Sequence, residues 1–464
     1  MKNEKIWYEL DAFAKTYSSI ISEGRTTCFR LSALFSENID LKILKRVSVL
    51  LEKKYPFYNS ELKKGIFWNY LQQKHTHFMI RKETTYPCTD IRKDNPLRII
   101  YFNNKLSIEI AHFLTDGKGA TLFFQDLIEK YLEEKYFCES IQNDVGENTE
   151  FEKEIKNKKN IETIDFSKKI KKNGDKIFSE NKMKTFEKSE EILGNYNKKN
   201  NIKENKYIDL YEKYLRKVSK ETTIKSAFHL PIKILEKGQY HITTGEINVD
   251  ELKVESRRYG TTIGKYLLAV YFKILLDRYS QAKNPIVIGV PVDLRNIFEE
   301  ATYRNFFINI TPSVDASLGA YSLSEIITYL DNYFALKITK KEFYKSIYKA
   351  MNPTRNIIIK SVPYLIKRMF FPFIFDYYGE RGYTTGFSNL GIFKVNKKYE
   401  KYLKGFRFLP PPSKRCKIKM GVISDRQKVY INFGNLTTNH DIEREFFVYL
   451  RKRGIKSKII TNYF

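Results

Sequence analysis

Near the end of its first quarter the chain reads IEIAHFLTDGKGATLFFQDL, and this stretch holds the residues best suited to chemistry. An apolar run ends at His112, Asp116 and Gly117 fall in the turn that follows, and a helical pattern begins directly after them. Imidazole titrates near pH 6.5, so a neutral histidine can take a proton from a weak nucleophile such as an alcohol at physiological pH. A histidine at a strand end is held by the sheet while its ring projects into a cleft. Asp116 is placed to order the turn, and Gly117 is expected to supply a backbone conformation closed to residues with a Cβ.

Other candidates carry less. His75 and His77 lie two apart in KHTHF and would share one face of a strand, but no carboxylate or cysteine cluster near them in sequence completes a metal site, so no metal is assigned. His229, His241 and His440 are isolated along the chain. Four scattered cysteines show neither a disulfide framework nor C-x-x-C spacing. The glycines of GYTTGFSNLG match neither a dinucleotide fingerprint nor a Walker loop.

The elements that must position these residues are legible on both sides of an insert. LKILKRVSVLLEKK, Leu41 to Lys54, places Leu41, Leu44, Val47, Leu50 and Leu51 on one helical stripe that stops before Pro56. GIFWNYLQQKHTHFMI reads as one or two strands. Arg98–Phe102 and Lys105–Ala111 alternate about Asn103-Asn104, a two-residue hairpin, and a helix is expected from about Gly119 to Tyr136. Later come a strand at His241–Val249, a helix capped by Asp250 and an apolar helix over Thr262–Tyr279. A strand at Ile286–Val292, a strand in FFINITPSV, a helix at Ser322–Leu336, a strand at Val429–Phe433 and a C-terminal helix at Asp441–Lys452 complete the reading. Residues 139–205, rich in Lys, Glu and Asn without sustained period, read as a mobile, charged low-complexity insert. The division is therefore 1–138, 139–205 and 206–464, with α/β units either side of the insert.

The opening WYELDAFAKTYSS, KKYPFYNSELKKGIFWNYL, AHFLTDG, GVPVDLRNIF with YRNFFINITP, and YTTGFSNLG occur in this order. Together they resemble the chloramphenicol-acetyltransferase-like acyltransferase superfamily, most nearly its bacterial alcohol acetyltransferase-like branch, over nearly the whole chain outside the insert. The resemblance implies two α/β sub-domains, mixed sheets with flanking helices, forming a central tunnel with the motif histidine midway. It implies His112 as catalytic base, with Ala111 where many relatives carry a second histidine, and Asp116 as a structural residue paired with an arginine, for which Arg295 is the candidate. Gly117 matches the motif glycine. Asn309, Ser388 and Asn389 fall in stretches that line the tunnel in relatives, and Ser388 or Asn309 is the candidate oxyanion donor. The implied activity is acyl transfer, with acyl-CoA as co-substrate and no bound cofactor, to an alcohol or amine and without an acyl-enzyme. The alternatives are a free-standing condensation-type protein fed by an acyl carrier protein, or a non-catalytic binding member of the fold.

The chain has 464 residues, 42% hydrophobic, with 33 Tyr and 34 Phe, ample for a large core. Its formal charge is +28, and Gly391–Phe464 alone holds 18 Lys/Arg against 5 Asp/Glu. AT-rich coding bias and attraction for an anionic partner both account for such an excess; coenzyme A is one such anion. No nucleic-acid-binding signature accompanies the charge, so nucleic acid is not assigned as a partner. No secretory leader and no uncharged span of membrane length are seen, and a cytoplasmic location is expected. IIIKSVPYLIKRMFFPFIFDYYG, Ile357 to Gly379, fits either a peripheral membrane contact or, preferred, a core or tunnel-wall helix broken at Pro363 and Pro372.

Overall fold

A computed structural model describes residues 6–22, 25–89, 95–146, 208–216, 226–378 and 380–463. Most of the segment 139–205 lies outside the described residues. The chain divides into one compact unit of Met1–Leu132 with Tyr207–Phe464, and a second of Glu133–Lys206. His112 and all the sheets of the described residues belong to the first unit.

The N-terminal part of that unit is built on a five-stranded sheet in the order Leu403–Leu409, Cys28–Phe35, Lys105–Ala111, Leu97–Phe102, Met79–Lys82. The hairpin about Asn103-Asn104 forms as its turn chemistry dictates: Phe102 pairs with Lys105, and Asn103 takes a positive φ of 49° that Asn tolerates better than most residues. The strand Leu403–Leu409, from the C-terminal part, pairs antiparallel with Cys28–Phe35. Sheet membership thus crosses the division drawn at 206. Beneath the motif strand Lys105–Ala111, Glu109 is fully buried and accepts from Arg30 Nε at 2.8 Å, Arg98 Nη2 at 2.6 Å and Cys88 N at 2.7 Å.

The second sheet runs Phe307–Ile310, Ile286–Asp293, Thr385–Ile392, Ile418–Ser424, Lys428–Asn435, His241–Asn248, Ser457–Thr461. Thr385–Ile392 is parallel to both neighbours, so the sheet is mixed. The helix Ile263–Arg278 is buried almost all round, from Tyr266 to Leu276, which explains an apolar pattern with little amphipathic bias. It packs beside Asp441–Lys452 in one core with that sheet. A small sheet of Trp7–Glu9, Tyr70–Gln73 and Ser60–Lys63 completes the set.

Local details differ from the sequence reading for identifiable reasons. The helix Leu41–Lys54 buries Ile43 with Leu44, Val47 and Leu51, leaving Leu41 and Leu50 only half-buried, a small rotation of the expected stripe. The helix Val249–Arg258 is capped by Asn248, whose side chain accepts from Asp250 N at 2.8 Å; Asp250 lies in its first turn, where a carboxylate suits the helix dipole. Gly65–Gln73 and Met79–Lys82 separate into a loop and two strands of different sheets. Pro363 does interrupt the helical run, between Ile357–Ser361 and Tyr364–Tyr378, but the latter helix continues through Pro372.

Candidate active site

The motif strand ends at Ala111, and His112 is the first residue beyond it, its backbone N–H bonded to Thr27 O at 2.8 Å. Thr27 itself sits at φ 51°, an uncommon conformation for a β-branched residue, and its buried hydroxyl has no hydrogen-bond partner. Aromatic rings pack around the imidazole: Tyr17 at 4.7 Å between centroids, Phe29 at 5.2 Å and Phe307 at 5.3 Å. Burial among these groups depresses the His112 pKa below its usual value, and the Asp116 charge opposes this only partly. Burial therefore favours the neutral imidazole.

Its tautomer has a structural basis. His112 Nδ1 lies 3.1 Å from Asn305 Oδ1, while Asn305 Nδ2 donates to Asp11 Oδ2 at 3.1 Å. With the amide oriented by Asp11, Oδ1 accepts the Nδ1 proton and Nε2 keeps its lone pair. Asp11 in turn caps the helix Ala12–Ile20 through Ala14 N at 2.8 Å. Sequence reasoning missed both Asn305 and Asp11. Asn305 stands inside the quoted stretch YRNFFINITP, but nothing in its spacing points to His112, 193 residues away.

Asp116 ties two distant parts of the chain together. It is 4% exposed, and its carboxylate accepts from Gly119 N at 2.9 Å, Phe306 N at 2.8 Å and Arg295 Nη2 at 2.9 and 3.0 Å. Arg295 also donates to Asp293 at 2.7 Å and to the carbonyls of Thr302 and Arg304. The aspartate thus caps the helix Gly117–Gly146, which begins two residues before the expected start, and holds it against the 295–306 segment.

Gly117 does not use a left-handed conformation, contrary to the expectation for it. It opens the helix, and a Cβ there would meet Leu390 Cδ2 at 2.7 Å. The tighter demand falls on Gly119, unremarked in the sequence, where a Cβ would lie 2.5 Å from Tyr303 O.

All seven sequence-derived candidates, His112, Asp116, Gly117, Arg295, Asn309, Ser388 and Asn389, border one cavity of about 1490 Å³. Asn309 comes from the strand Phe307–Ile310 and is a hydrogen-bond partner of Tyr383, whose pKa burial pushes up to about 12. Ser388 and Asn389 come from Thr385–Ile392. The wall also carries Lys118, Lys337, Lys345 and Lys349. His75 and His77 lie in an exposed bend rather than on a strand, with His77 Nδ1 2.9 Å from Glu52. His241 and His440, far apart in sequence, meet at 3.1 Å and stack with Tyr463.

No protein-family model and no curated protein matches the sequence. Solved structures do. F. sporotrichioides TRI101 complexed with coenzyme A and T-2 superposes with a TM-score of 0.58 at 9% identity, over 97% of this chain and 99% of that one. A mutant starter condensation domain of rhizomide synthetase in complex with C8-CoA gives 0.53 at 11%, over 96% and 94%. Polyketide synthase associated protein 5 from Mycobacterium tuberculosis gives 0.52 at 10%, over 96% and 97%. The chain has the fold of these proteins, the fold implied by the motif resemblance.

Proposed function

We propose that this chain, sharing that fold, is an acyltransferase that moves an acyl group from an acyl-CoA thioester to an alcohol, without an acyl-enzyme. The observation that carries the reading is an imidazole, held through Asn305 and buried so that its pKa is lowered, on the wall of a cavity of about 1490 Å³. His112 Nε2 takes the hydroxyl proton as the alcohol oxygen attacks the thioester carbonyl, forming the new C–O bond. Collapse of the tetrahedral intermediate breaks the C–S bond, and the imidazolium returns its proton to the departing thiolate. Asn309 or Ser388 is the proposed donor to the intermediate's oxyanion, and Asp116 with Arg295 orders the turn that aims His112. An amine acceptor is served by the same base.

Two solved structures of the fold carry coenzyme A or C8-CoA, which supports a coenzyme A donor; Lys337 and Lys345 are paired with Glu342, and Lys118 and Lys349 on the cavity wall suit its phosphates. The test is thiol release from acetyl-CoA with a panel of alcohols and amines, comparing wild type with His112→Ala. Acceptor-dependent release, lost in a variant that remains folded, is expected; a fully active His112→Ala protein refutes the mechanism. Thermal protection by free acyl-CoA separates this donor from a carrier-protein arm.

A further inference from the structure

The helix Tyr364–Tyr378 turns toward water the residues a core helix would hide. Leu365, Met369 and Phe373 are 69%, 68% and 73% exposed, and Ile366 and Phe370 beside them are exposed too. Positions four apart share a helical face, so these form one stripe. The opposite face is docked: Tyr364, Lys367 and Phe371 are buried, and Phe371 packs edge-on against Trp68. The sequence preference for a tunnel-wall helix thus describes only this inner face. The loop before Trp68 extends the outer one. Ile66 is 77% exposed, its carbonyl accepts from Tyr364 N at 2.8 Å, and Phe67 O accepts from Lys367 Nζ at 3.0 Å.

Contiguous apolar surface of this kind calls for a partner, and the charge around it says which. Between Glu342 and Asp376 the chain holds six Lys/Arg and no acidic residue; Lys345 and Arg355 pair with Glu342 and Glu212 and Lys367 is buried on the inner face, which leaves Lys349, Lys360 and Arg368 as the exposed cations outside those pairs. Arg368 is exposed on the helix that carries the apolar stripe, and Lys360 on the short helix Ile357–Ser361 just before it. Exposed leucine, methionine and phenylalanine bordered by cations is the composition that seats a helix in the interface of an anionic bilayer. Among the described residues no helix is long and apolar enough to cross a membrane, so the contact is a surface one. Ile359 and Phe371, from these helices, line the cavity that holds His112.

We infer that this face docks on an anionic lipid surface, with the Ile359–Phe371 wall of the cavity beside the membrane. Docking stands independently of the proposed reaction. Its consequence, that an apolar acceptor dissolved in the bilayer reaches His112 along that wall, rests on the acyltransfer reading.

The full chain is tested by sedimentation with phosphatidylcholine vesicles, with and without phosphatidylglycerol, against Leu365→Ser/Met369→Ser/Phe373→Ser and Lys360→Glu/Arg368→Glu, whose folding is checked by circular dichroism. Wild type is expected to sediment with the anionic vesicles, and each variant to bind more than about tenfold more weakly. Equal sedimentation of wild type and both variants, or no sedimentation of wild type, overturns the inference. So does a concentration-dependent dimer that the triple variant abolishes, because a second copy then covers the face. Vesicle binding without thiol release from acetyl-CoA retains the docking and removes the acyltransfer reading alone.

Discussion

Asp116→Ala removes the carboxylate that joins the start of the motif helix to the 295–306 segment. Three kinds of partner lose it at once. Gly119 N loses its cap, Phe306 N loses its acceptor, and Arg295 loses one of two counter-charges while remaining buried. Leaving one member of a buried ion pair behind costs about 3–5 kcal/mol, and loss of an N-cap about 1 kcal/mol. Arg295 keeps Asp293 and two carbonyls, so the lower end applies, and about 4 kcal/mol in all is expected. That is a large share of the roughly 5–15 kcal/mol by which folded proteins are stable. Urea unfolding at neutral pH, followed by circular dichroism, measures it, with thiol release recorded on the same preparations. Stability and activity are expected to fall together in Asp116→Ala, whereas His112→Ala, which breaks no ion pair, remains folded with a smaller loss of stability and loses activity. An Asp116→Ala protein within about 0.5 kcal/mol of wild type, the range of a neutral surface change, refutes the argument that this carboxylate holds the two segments together.

The neutral form of His112 is the active one in the proposed mechanism and burial lowers its pKa, so the acid limb of kcat/KM is expected below the ordinary histidine value, with activity lost as pH falls through it; a limb above that value contradicts the burial argument. Asn305→Ala frees the imidazole to rotate and change tautomer. It should lower kcat about tenfold or more with little change in KM, whereas a merely structural role predicts altered unfolding with kcat preserved. Glu109→Gln leaves Arg30 and Arg98 short of a counter-charge and is expected to cost about 3–5 kcal/mol in urea unfolding. The folded pKa of Glu109 is depressed by those arginines, so its contribution is present above the ordinary glutamate range and disappears as pH falls through the lower folded value; the pH dependence of unfolding in Glu109→Gln should lack that loss.

What the sequence made legible was local. The turn at Asn103-Asn104, the buried helix Ile263–Arg278 and the strand-turn-helix around His112 each follow from residues close together in the chain, where period and turn chemistry act directly. The Asp116–Arg295 pairing was foreseeable only because the motif resemblance supplied it. Asn305 and Asp11 were not foreseeable, since their contact is made by strands and loops that folding brings together across 294 residues. The stripe of Tyr364–Tyr378 shows a different limit. Periodicity reveals that a helix has faces, but with apolar residues on both it does not tell which one the protein buries.

The pairing of Leu403–Leu409 with Cys28–Phe35 also sets a schedule for synthesis. The strand Cys28–Phe35 leaves the ribosome long before its partner Leu403–Leu409 is made. Until then the nascent sheet carries an open edge of unpaired N–H and C=O groups, flanked by apolar residues and ready to template pairing with another chain. Premature termination between these two strands therefore yields a product that is both incomplete and sticky, and chaperone demand should fall once Leu403–Leu409 has been made.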